Sequence, residues 1–480
     1  MSILVVDIGT SSVRAVVVRP DAGLEAETVQ PLLPHSPMPG LVEFDASAMA
    51  EAILDVAGRA LAKAGPVDAV GIANQRASTI VWDRHTGQPV GPGLGWQDLR
   101  TVGECLVHQA SGLRFAPNES ATKAEYLWNN HDPDRTGDLV FGTVDTWAAW
   151  VLSEGALHVT DPSNAGLTGI YSPSADGWSE TVIEGLRLPP AALAQVVDSS
   201  GVVGPATALA GSPPIAGIAG DQQASLIGQG CVRPGLAKCT FGTGGMLDVV
   251  VGPDRPAFER RSRHGTYPIV TWRDHGAVTW GLEAVMLAAG TNVEWLRDDL
   301  QLIDTAAASH EMAGRCDHTD GVVFVPDLLG AGTPEWDFGA RGGLFGLTRG
   351  SSAAHIVRAV LEGVAMRARD LLDAVEADAG LSVESLRVDG GMSENPTFVQ
   401  AVANAMGRPV ELSPVVEATA LGAGFLAGLA VGTWSGWDDI AAAWSPRGVV
   451  EPDGEPDRDQ WARAVERSGQ WHRDLSALDF

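Results

Sequence analysis

The pattern that most restricts the fold of this 480-residue chain occurs twice. Residues 5–18 read VVDIGTSSVRAVVV, and residues 238–251 read KCTFGTGGMLDVVV. Each segment runs from an apolar strand through Gly-Thr and two small residues into a second strand that ends in three valines. Self-similarity about half a chain apart indicates a duplicated structural unit. A strand, a glycine-rich turn and a strand can also recur by chance in an α/β protein, and the repeat alone leaves that alternative open.

The repeat predicts two domains of similar size, residues 1–230 and 231–480, each opening with the same β-hairpin. A chain of this length fits two large domains, and glycine and proline cluster between residues 228 and 235, where we place the boundary. Both halves alternate strands with helices, which is typical of an α/β fold.

Apolar periodicity predicts the position of individual elements. Strands are expected at residues 67–73, 80–82, 215–219 and 386–388. Helices are expected at residues 47–64, 351–379, 395–406 and 457–473. The first helix should bury Leu54, Ala57 and Leu61 on one face. Residues 173–214, which are rich in proline, glycine and serine, are expected to form surface loops.

Composition excludes two classes of function. The chain has 60 acidic and 32 basic residues, a formal net charge of -28, and such a surface repels the phosphate backbone of nucleic acids. No Gly-Lys dipeptide occurs, which excludes a Walker A loop because that loop needs a lysine after a glycine.

The sequence has few features that indicate a cellular compartment. Four scattered cysteines without CxxC spacing favour neither a zinc site nor a disulfide framework, and the N-terminus lacks the pattern of a signal peptide. Residues 418–437 carry no charge, but they are rich in alanine and glycine and flanked by Glu417 and Asp438. We expect a buried, close-packed helix there, a cytoplasmic protein and no membrane insertion.

The two glycine-rich turns suggest phosphate binding. Gly9, Thr10, Ser11 and Ser12 offer successive backbone N–H groups and three hydroxyls, and residues 242–245 offer the same backbone with less bulk. Loops of this kind cradle phosphate through backbone donors. An ordinary tight hairpin would explain either turn alone, but two turns that each open a domain could face one nucleotide across a cleft.

Acidic residues stand where strands end. Asp7 directly precedes the first loop, where a carboxylate can hold Mg²⁺ against phosphates; turn capping is the alternative. Asp221 ends a buried strand, and strand ends in open α/β sheets face the ligand crevice, so its carboxylate could accept a proton from an attacking hydroxyl. A helix N-cap role for Asp221 is compatible with this. Gly391 and Asn395, after the strand at 386–388, could approach a nucleotide.

Two halves that carry these loops resemble the FGGY carbohydrate kinases, and within that family the branch that phosphorylates glycerol. Matching stretches extend over nearly the whole chain: IANQRASTIVWDRHTGQPVGPGLGWQDLRT (72–101), FGTVDTWAAWVLSEGALHVTDPSNA (141–165), IAGDQQASLIGQGCV (218–232), FGTGG (241–245), WLRDDLQLI (295–303), ARGGLFGLTRG (340–350), LRVDGG (386–391) and ATALGAGFLAGLAVG (418–432). The resemblance implies two duplicated actin-like (ribonuclease H-like) ATPase domains with a cleft between them.

The resemblance also implies roles for individual residues. The phosphate and nucleotide contacts are assigned to Gly9, Thr10, Ser11, Ser12, Arg14, Gly242, Thr243, Gly290, Glu294, Gly391 and Asn395. Asp221 corresponds to the catalytic base, with Asp7 and Asp221 at the metal. Arg76, Trp96 and Gln222 correspond to substrate-pocket positions.

The pocket departs from the glycerol pattern at three positions. Ala77 stands where a hydroxyl-binding carboxylate is expected, Asn118 replaces a tyrosine and Met246 replaces a phenylalanine. A fourth departure, on the adenine side, is Glu294 in place of a glutamine. Loss of one acceptor and two aromatic walls should weaken glycerol by about 10- to 100-fold.

The implied activity is an ATP- and Mg²⁺-dependent transfer of phosphate to a terminal hydroxyl of a small polyol or sugar. Glycerol is the first candidate, and a four- or five-carbon polyol or ketose, such as erythritol or xylulose, is the alternative. A regulator that binds the ligand without turnover is a further alternative, and retention of Asp7 and Asp221 speaks against it. A homodimer or homotetramer is possible.

Overall fold

Both halves of the chain contribute to one mixed sheet of 13 strands among the described residues. The structure is a computed structural model that describes residues 1–172, 175–415 and 417–480. The strands of the first half are β1 (Ile3–Ile8), β2 (Ser12–Val18), β3 (Leu24–Pro31), β4 (Glu43–Phe44), β5 (Ala69–Asn74), β6 (Ile80–Asp83), β7 (Gly93–Leu94), β8 (Leu139–Gly142), β9 (Val159–Thr160), β10 (Tyr171–Ser172), β11 (Gly177–Trp178), β12 (Gln195–Val196), β13 (Ser200–Pro205) and β14 (Pro214–Gly220). Its helices are α1 (Ala46–Ala64), α2 (Val102–Ala110), α3 (Ala121–His131), α4 (Val144–Leu152), α5 (Pro162–Ala165), α6 (Glu180–Gly185) and α7 (Asp221–Gly228).

The second half adds nine strands and eight helices to the described part of the chain. Its strands are β15 (Ala237–Phe241), β16 (Gly245–Gly252), β17 (Tyr267–Asp274), β18 (Ala277–Met286), β19 (Val323–Val325), β20 (Gly343–Phe345), β21 (Leu386–Asp389), β22 (Val410–Leu412) and β23 (Gly448–Val450). Its helices are α8 (Gly290–Asp298), α9 (Ala308–Ala313), α10 (Ala353–Ala379), α11 (Pro396–Met406), α12 (Ala418–Ala430), α13 (Trp437–Ala443), α14 (Arg458–Ser468) and α15 (Arg473–Ser476).

The duplication predicted from the sequence is confirmed by the sheet topology. The first half orders five strands β3-β2-β1-β5-β14, and the second orders β18-β16-β15-β21-β22. In each set three antiparallel strands are followed by two parallel ones. Strands β5 and β14 run parallel to β1 in the first half, and β21 and β22 run parallel to β15 in the second. The two parts of the sheet meet through β13 and β17, where Ser200 pairs with Asp274.

Strand alternation separates two apolar layers in the first half. Leu4 and Val6 of β1 face the layer that α1 and α4 cover, whereas Ile3 and Val5 face the layer that contains α12. This alternation follows from the two-residue period of a strand. Helix α12 therefore packs a segment of the second half against the sheet of the first.

Glycines allow α12 to cross α7 at close range. A Cβ on Gly422 would lie 1.8 Å from the carbonyl oxygen of Ala224, and one on Gly228 would lie 1.9 Å from that of Ala418. The buried helix expected at residues 418–437 is confirmed for its first part, and the chain turns before α13. None of the described helices combines the length and hydropathy needed to span a bilayer.

Several local predictions are confirmed and others are wrong. Helices α10 and α11 lie where they were expected, with Asn395 as the N-cap of α11. Helix α1 also forms, but its buried face contains Met49, Ile53 and Val56. Leu54 lies outside that face and is 38% exposed. The loop prediction for residues 173–214 is wrong, since β11, β12, β13 and α6 lie there; residues 173 and 174 are outside the described residues. The C-terminal helix ends at Ser468 rather than continuing to residue 473. The domain boundary near residue 230 stays a prediction.

Candidate active site

Three neighbouring strands of the first half end at one edge of the sheet. In the register, Asp7 of β1 pairs with Ala73 of β5, and Asn74 of β5 pairs with both Ile8 and Gly220. The carboxyl ends of parallel strands in an open sheet form the ligand crevice. Asp7, Arg76 and Asp221 are therefore brought to a common edge by strand register.

Arg76 connects the first half to the second at this edge. Its Nε lies 3.3 Å from Asp221 Oδ1, and its Nη2 lies 2.7 Å from Glu283 Oε2 on β18. Its Nη1 donates a hydrogen bond to Gln223 Oε1 at 3.3 Å. Burial opposes the charged form of Arg76, but the carboxylates of Glu283, Asp221 and Asp248 outweigh it and raise the pKa of the guanidinium. Arg76 is thus a fixed cation beside Asp221.

Asp221 is the first residue of α7, and its carboxylate is a third exposed. The backbone N–H of Gln222 donates to Asp221 Oδ1 at 2.8 Å. Burial raises the pKa of Asp221 above its usual value, while the positive charges of Arg76 and Lys238 act in the opposite direction. The carboxylate is therefore held by neighbours and remains partly accessible to solvent.

The carboxylates of Asp7 and Asp221 fit a hard divalent cation. Burial raises the pKa of Asp7 to about 7; Arg14 lowers it, and the nearby negative charge of Asp221 raises it further. Mg²⁺ is bound in proteins by one or two carboxylates together with substrate phosphates and waters. A cluster of three or more acidic, histidine or cysteine ligands does not occur among the described residues, and this mode of binding does not require one.

The first glycine-rich turn contacts the predicted substrate pocket. Trp96 Nε1 donates to Thr10 Oγ1 at 3.3 Å, and Gln75 Nε2 donates to the carbonyl oxygen of Gly9 at 3.1 Å. Ser11 is exposed and Ser12 is half-buried. Arg14 pairs with Asp7 across the hairpin, and its guanidinium forms ion pairs with Glu27 and Glu417. Pocket and loop are therefore positioned together.

The second turn lines a cavity of about 560 Å³ in the second half. All six nucleotide contacts predicted for this half line it: Gly242, Thr243, Gly290, Glu294, Gly391 and Asn395. The backbone N–H of Gly290 donates to the carbonyl oxygen of Gly242 at 2.8 Å, and a Cβ on Gly290 would lie 2.6 Å from that oxygen. Asn395 already accepts from the N–H of Phe398 and donates to Ser309. Its side chain therefore braces the cavity wall.

The three predicted pocket residues that differ from the glycerol-phosphorylating branch lie in different surroundings. Ala77 is buried at a φ of 60°, and its carbonyl oxygen accepts a hydrogen bond from Ser120 Oγ. Asn118 is exposed, and its carbonyl oxygen accepts from Lys123 Nζ at 3.3 Å. Met246 is half-buried on β16. Position 77 therefore contributes a methyl group and no side-chain acceptor.

Sequence reasoning missed a polar row that crosses the sheet of the second half. Lys238 on β15 pairs with Asp248 on β16, Asp248 pairs with Glu283 on β18, and Glu283 pairs with Tyr267 on β17. Lys238 and Asp248 are fully buried and form an ion pair of 2.8 Å. Lys238 Nζ also donates to Gln222 Oε1 at 2.5 Å. One signal was available, because Lys238 is one of three lysines in the chain and lies in an apolar strand.

The topology and the polar site together define a duplicated α/β protein with two glycine-rich turns and strand-end carboxylates suited to phosphate transfer. Two family models match the chain. The N-terminal domain of the FGGY family of carbohydrate kinases matches residues 2–228, and the C-terminal domain of the same family matches residues 237–431. The chain belongs to this family, whose members phosphorylate an alcohol group.

Individual relatives are similar over nearly their whole length. The chain is 41% identical to glycerol kinase of Aromatoleum aromaticum, over 98% of this chain and 99% of that protein. It is 41% identical to glycerol kinase of Halorhodospira halophila, over 98% and 97%. Among solved structures, glycerol kinase of Plasmodium falciparum with ADP matches with a TM-score of 0.90 at 27% identity, over 97% of this chain and 98% of that one.

Proposed function

We propose that the protein transfers the γ-phosphate of ATP to a terminal hydroxyl of glycerol, with Mg²⁺ as the metal. The observation that carries this proposal is the placement of the Asp221 carboxylate. It is partly exposed and is held beside Arg76 at the edge where the first glycine-rich turn begins. Similarity to glycerol kinases over 98% of the chain supports glycerol as the acceptor.

Each group of residues has a task in this reaction. Asp221 accepts the proton of the terminal hydroxyl as the oxygen–phosphorus bond forms and the bond to the leaving ADP breaks. Arg76 holds the carboxylate in place, and Lys238 fixes the side-chain oxygen of Gln222. Backbone N–H groups of the turns at Gly9 and Gly242 bind phosphate. Asp7 and Asp221 would hold Mg²⁺, which neutralises charge on the transferred phosphoryl group.

A four- or five-carbon polyol or ketose is the second candidate acceptor. What favours it is the side chains at three predicted pocket positions: a methyl group at Ala77, an exposed amide at Asn118 and a flexible thioether at Met246, in place of a carboxylate and two aromatic rings. A longer substrate could fill that space and bring a hydroxyl to Asn118.

A substrate panel separates the two candidates. We expect kcat/KM for glycerol to exceed the values for erythritol, xylitol and xylulose. The measurement is a coupled assay of ADP release, with the phosphorylated product identified by mass spectrometry. A higher kcat/KM for any of the longer acceptors would replace glycerol as the substrate and would leave the kinase chemistry intact. An advantage of 100-fold or more for glycerol would show that the three departures are functionally neutral.

Closure of the cleft is a second expected result. Two phosphate-binding turns on different halves must approach each other to hold one nucleotide, and closure excludes water, which would otherwise compete as acceptor. We expect a smaller radius of gyration by small-angle scattering with a non-hydrolysable ATP analogue and glycerol than without ligands. Glycerol alone serves as the control. Superimposable curves in all states would contradict closure.

A further inference from the structure

The side chain of Glu283 is buried beside Arg76, at the edge of the sheet that also carries Asp221. Its relative exposure is 6%. Arg76 Nη2 lies 2.7 Å from its Oε2 and forms an ion pair with it. A carboxylate has about four lone-pair sites for hydrogen bonds, and buried carboxylates normally have them satisfied. One guanidinium nitrogen occupies only part of this capacity, so the carboxylate can accept a further donor.

The position of Glu283 relative to Asp221 is set by one guanidinium. Nε and Nη2 form the same edge of Arg76, and this edge carries Asp221 on one nitrogen and Glu283 on the other. The two carboxylates therefore lie side by side, and the negative charge of Glu283 is close enough to raise the pKa of Asp221. A small polyol with one hydroxyl at Asp221 would therefore have Glu283 as the neighbouring carboxylate for its other hydroxyls.

Strand register places Glu283 on the pocket side of its sheet. Asp248 pairs with Glu283, and Met246, two residues before Asp248, pairs with Val285. Residues two apart in a strand share a face, so Glu283 lies on the same face as Met246, a predicted pocket wall. Tyr267 pairs with Glu283 from β17 and continues the row.

We propose that Glu283 is a substrate-binding residue that accepts a hydrogen bond from the acceptor hydroxyl farthest from the one phosphorylated. The second half of the chain thereby supplies the acceptor that Ala77 cannot provide. This assignment makes Glu283 a determinant of acceptor specificity, and it rests on the proposed function as a polyol kinase. It also makes the bound polyol a ligand of both halves, because Asp221 and Glu283 come from different halves.

Removing the carboxylate and removing the hydroxyl test the same contact from two sides. Glu283→Gln keeps the size of the side chain and removes its charge. Propane-1,2-diol retains the terminal hydroxyl and its neighbour but lacks the third hydroxyl of glycerol. We expect Glu283→Gln to lower kcat/KM for glycerol by about tenfold and to change kcat/KM for propane-1,2-diol by less than about threefold.

The matched control is Asp248→Asn, which neutralises another buried carboxylate of the same row. Asp248 forms an ion pair with Lys238, so its substitution should change kcat/KM for glycerol and for propane-1,2-diol by the same factor. Thermal unfolding of both variants shows whether they fold. Equal loss for glycerol and propane-1,2-diol in Glu283→Gln would overturn the proposal, because a residue that only positions Arg76 affects both alike.

Failure of this inference is distinguishable from failure of the proposed function. Turnover of glycerol by the unaltered protein measures the proposed function, whereas the ratio between the two substrates measures the role of Glu283. If the unaltered protein prefers erythritol, the same comparison uses erythritol and butane-1,2,3-triol, which lacks one terminal hydroxyl. A selective loss on the fully hydroxylated member of the pair supports the assignment, and an equal loss on both contradicts it.

Discussion

Replacing Asp221 by asparagine should lower kcat by about 10²- to 10⁴-fold, because the substitution removes the proton acceptor and keeps the size of the side chain. The neighbouring groups should stay in place, since the amide oxygen can still face Arg76 Nε and the N–H of Gln222. Affinity for ATP, measured by isothermal titration without Mg²⁺, should change little because the cavity at Gly242 and Gly290 lies on the second half.

The matched control for this variant is Asp304→Asn, an exposed aspartate outside the cavity and the ion pairs described above. It should retain full activity. Near-normal turnover by Asp221→Asn would remove Asp221 from the mechanism. A parallel loss of ATP affinity without Mg²⁺ would instead indicate that the substitution disturbs the nucleotide site itself.

The second large effect concerns the stability of the second half. Lys238 and Asp248 are both 0% exposed, and loss of one partner of a buried ion pair leaves the other charge uncompensated. Lys238→Met should therefore lower the free energy of unfolding by about 3–5 kcal/mol. The double variant Lys238→Met, Asp248→Leu should recover most of that loss, because replacing a buried pair by apolar residues of similar volume is often neutral.

Thermal unfolding followed by circular dichroism compares the three proteins. Lys63→Met is the control for loss of a lysine at an exposed position, and it should change the free energy of unfolding by less than about 0.5 kcal/mol. A double variant as unstable as the single one would contradict the ion-pair account. It would point to the hydrogen bonds of Lys238 with Gln222 and Thr240 as the main contribution.

The fold could be predicted well because its signals are local. Each hairpin carries its own apolar strands and glycine-rich turn, and the same five-strand order forms in both halves. The exposed position of Leu54 shows the limit of this reasoning. Alanines fill much of α1, so small shifts of the helix decide which side is buried. Similarly, β12 pairs with β9 and β13 pairs with β17, and the local composition of residues 173–214 does not reveal these distant partners.

The sequence predicts only part of the candidate site. Asp7 and Asp221 stand beside recognisable strand ends, whereas Lys238, Asp248 and Glu283 lie in apolar strands and meet only through sheet register. The contact between Arg76 and Glu283 joins residues from different halves of the chain. Contacts of this kind depend on how the two halves are joined within one sheet, which no local pattern specifies.

The central claim is transfer of phosphate from ATP to glycerol, and ³¹P NMR of the reaction products tests it most directly. With the protein, ATP, Mg²⁺ and excess glycerol, we predict one equivalent of a glycerol phosphate monoester for each ADP formed and no inorganic phosphate beyond the enzyme-free control. Appearance of ADP with inorganic phosphate alone, or no consumption of ATP in the presence of glycerol, would contradict the claim.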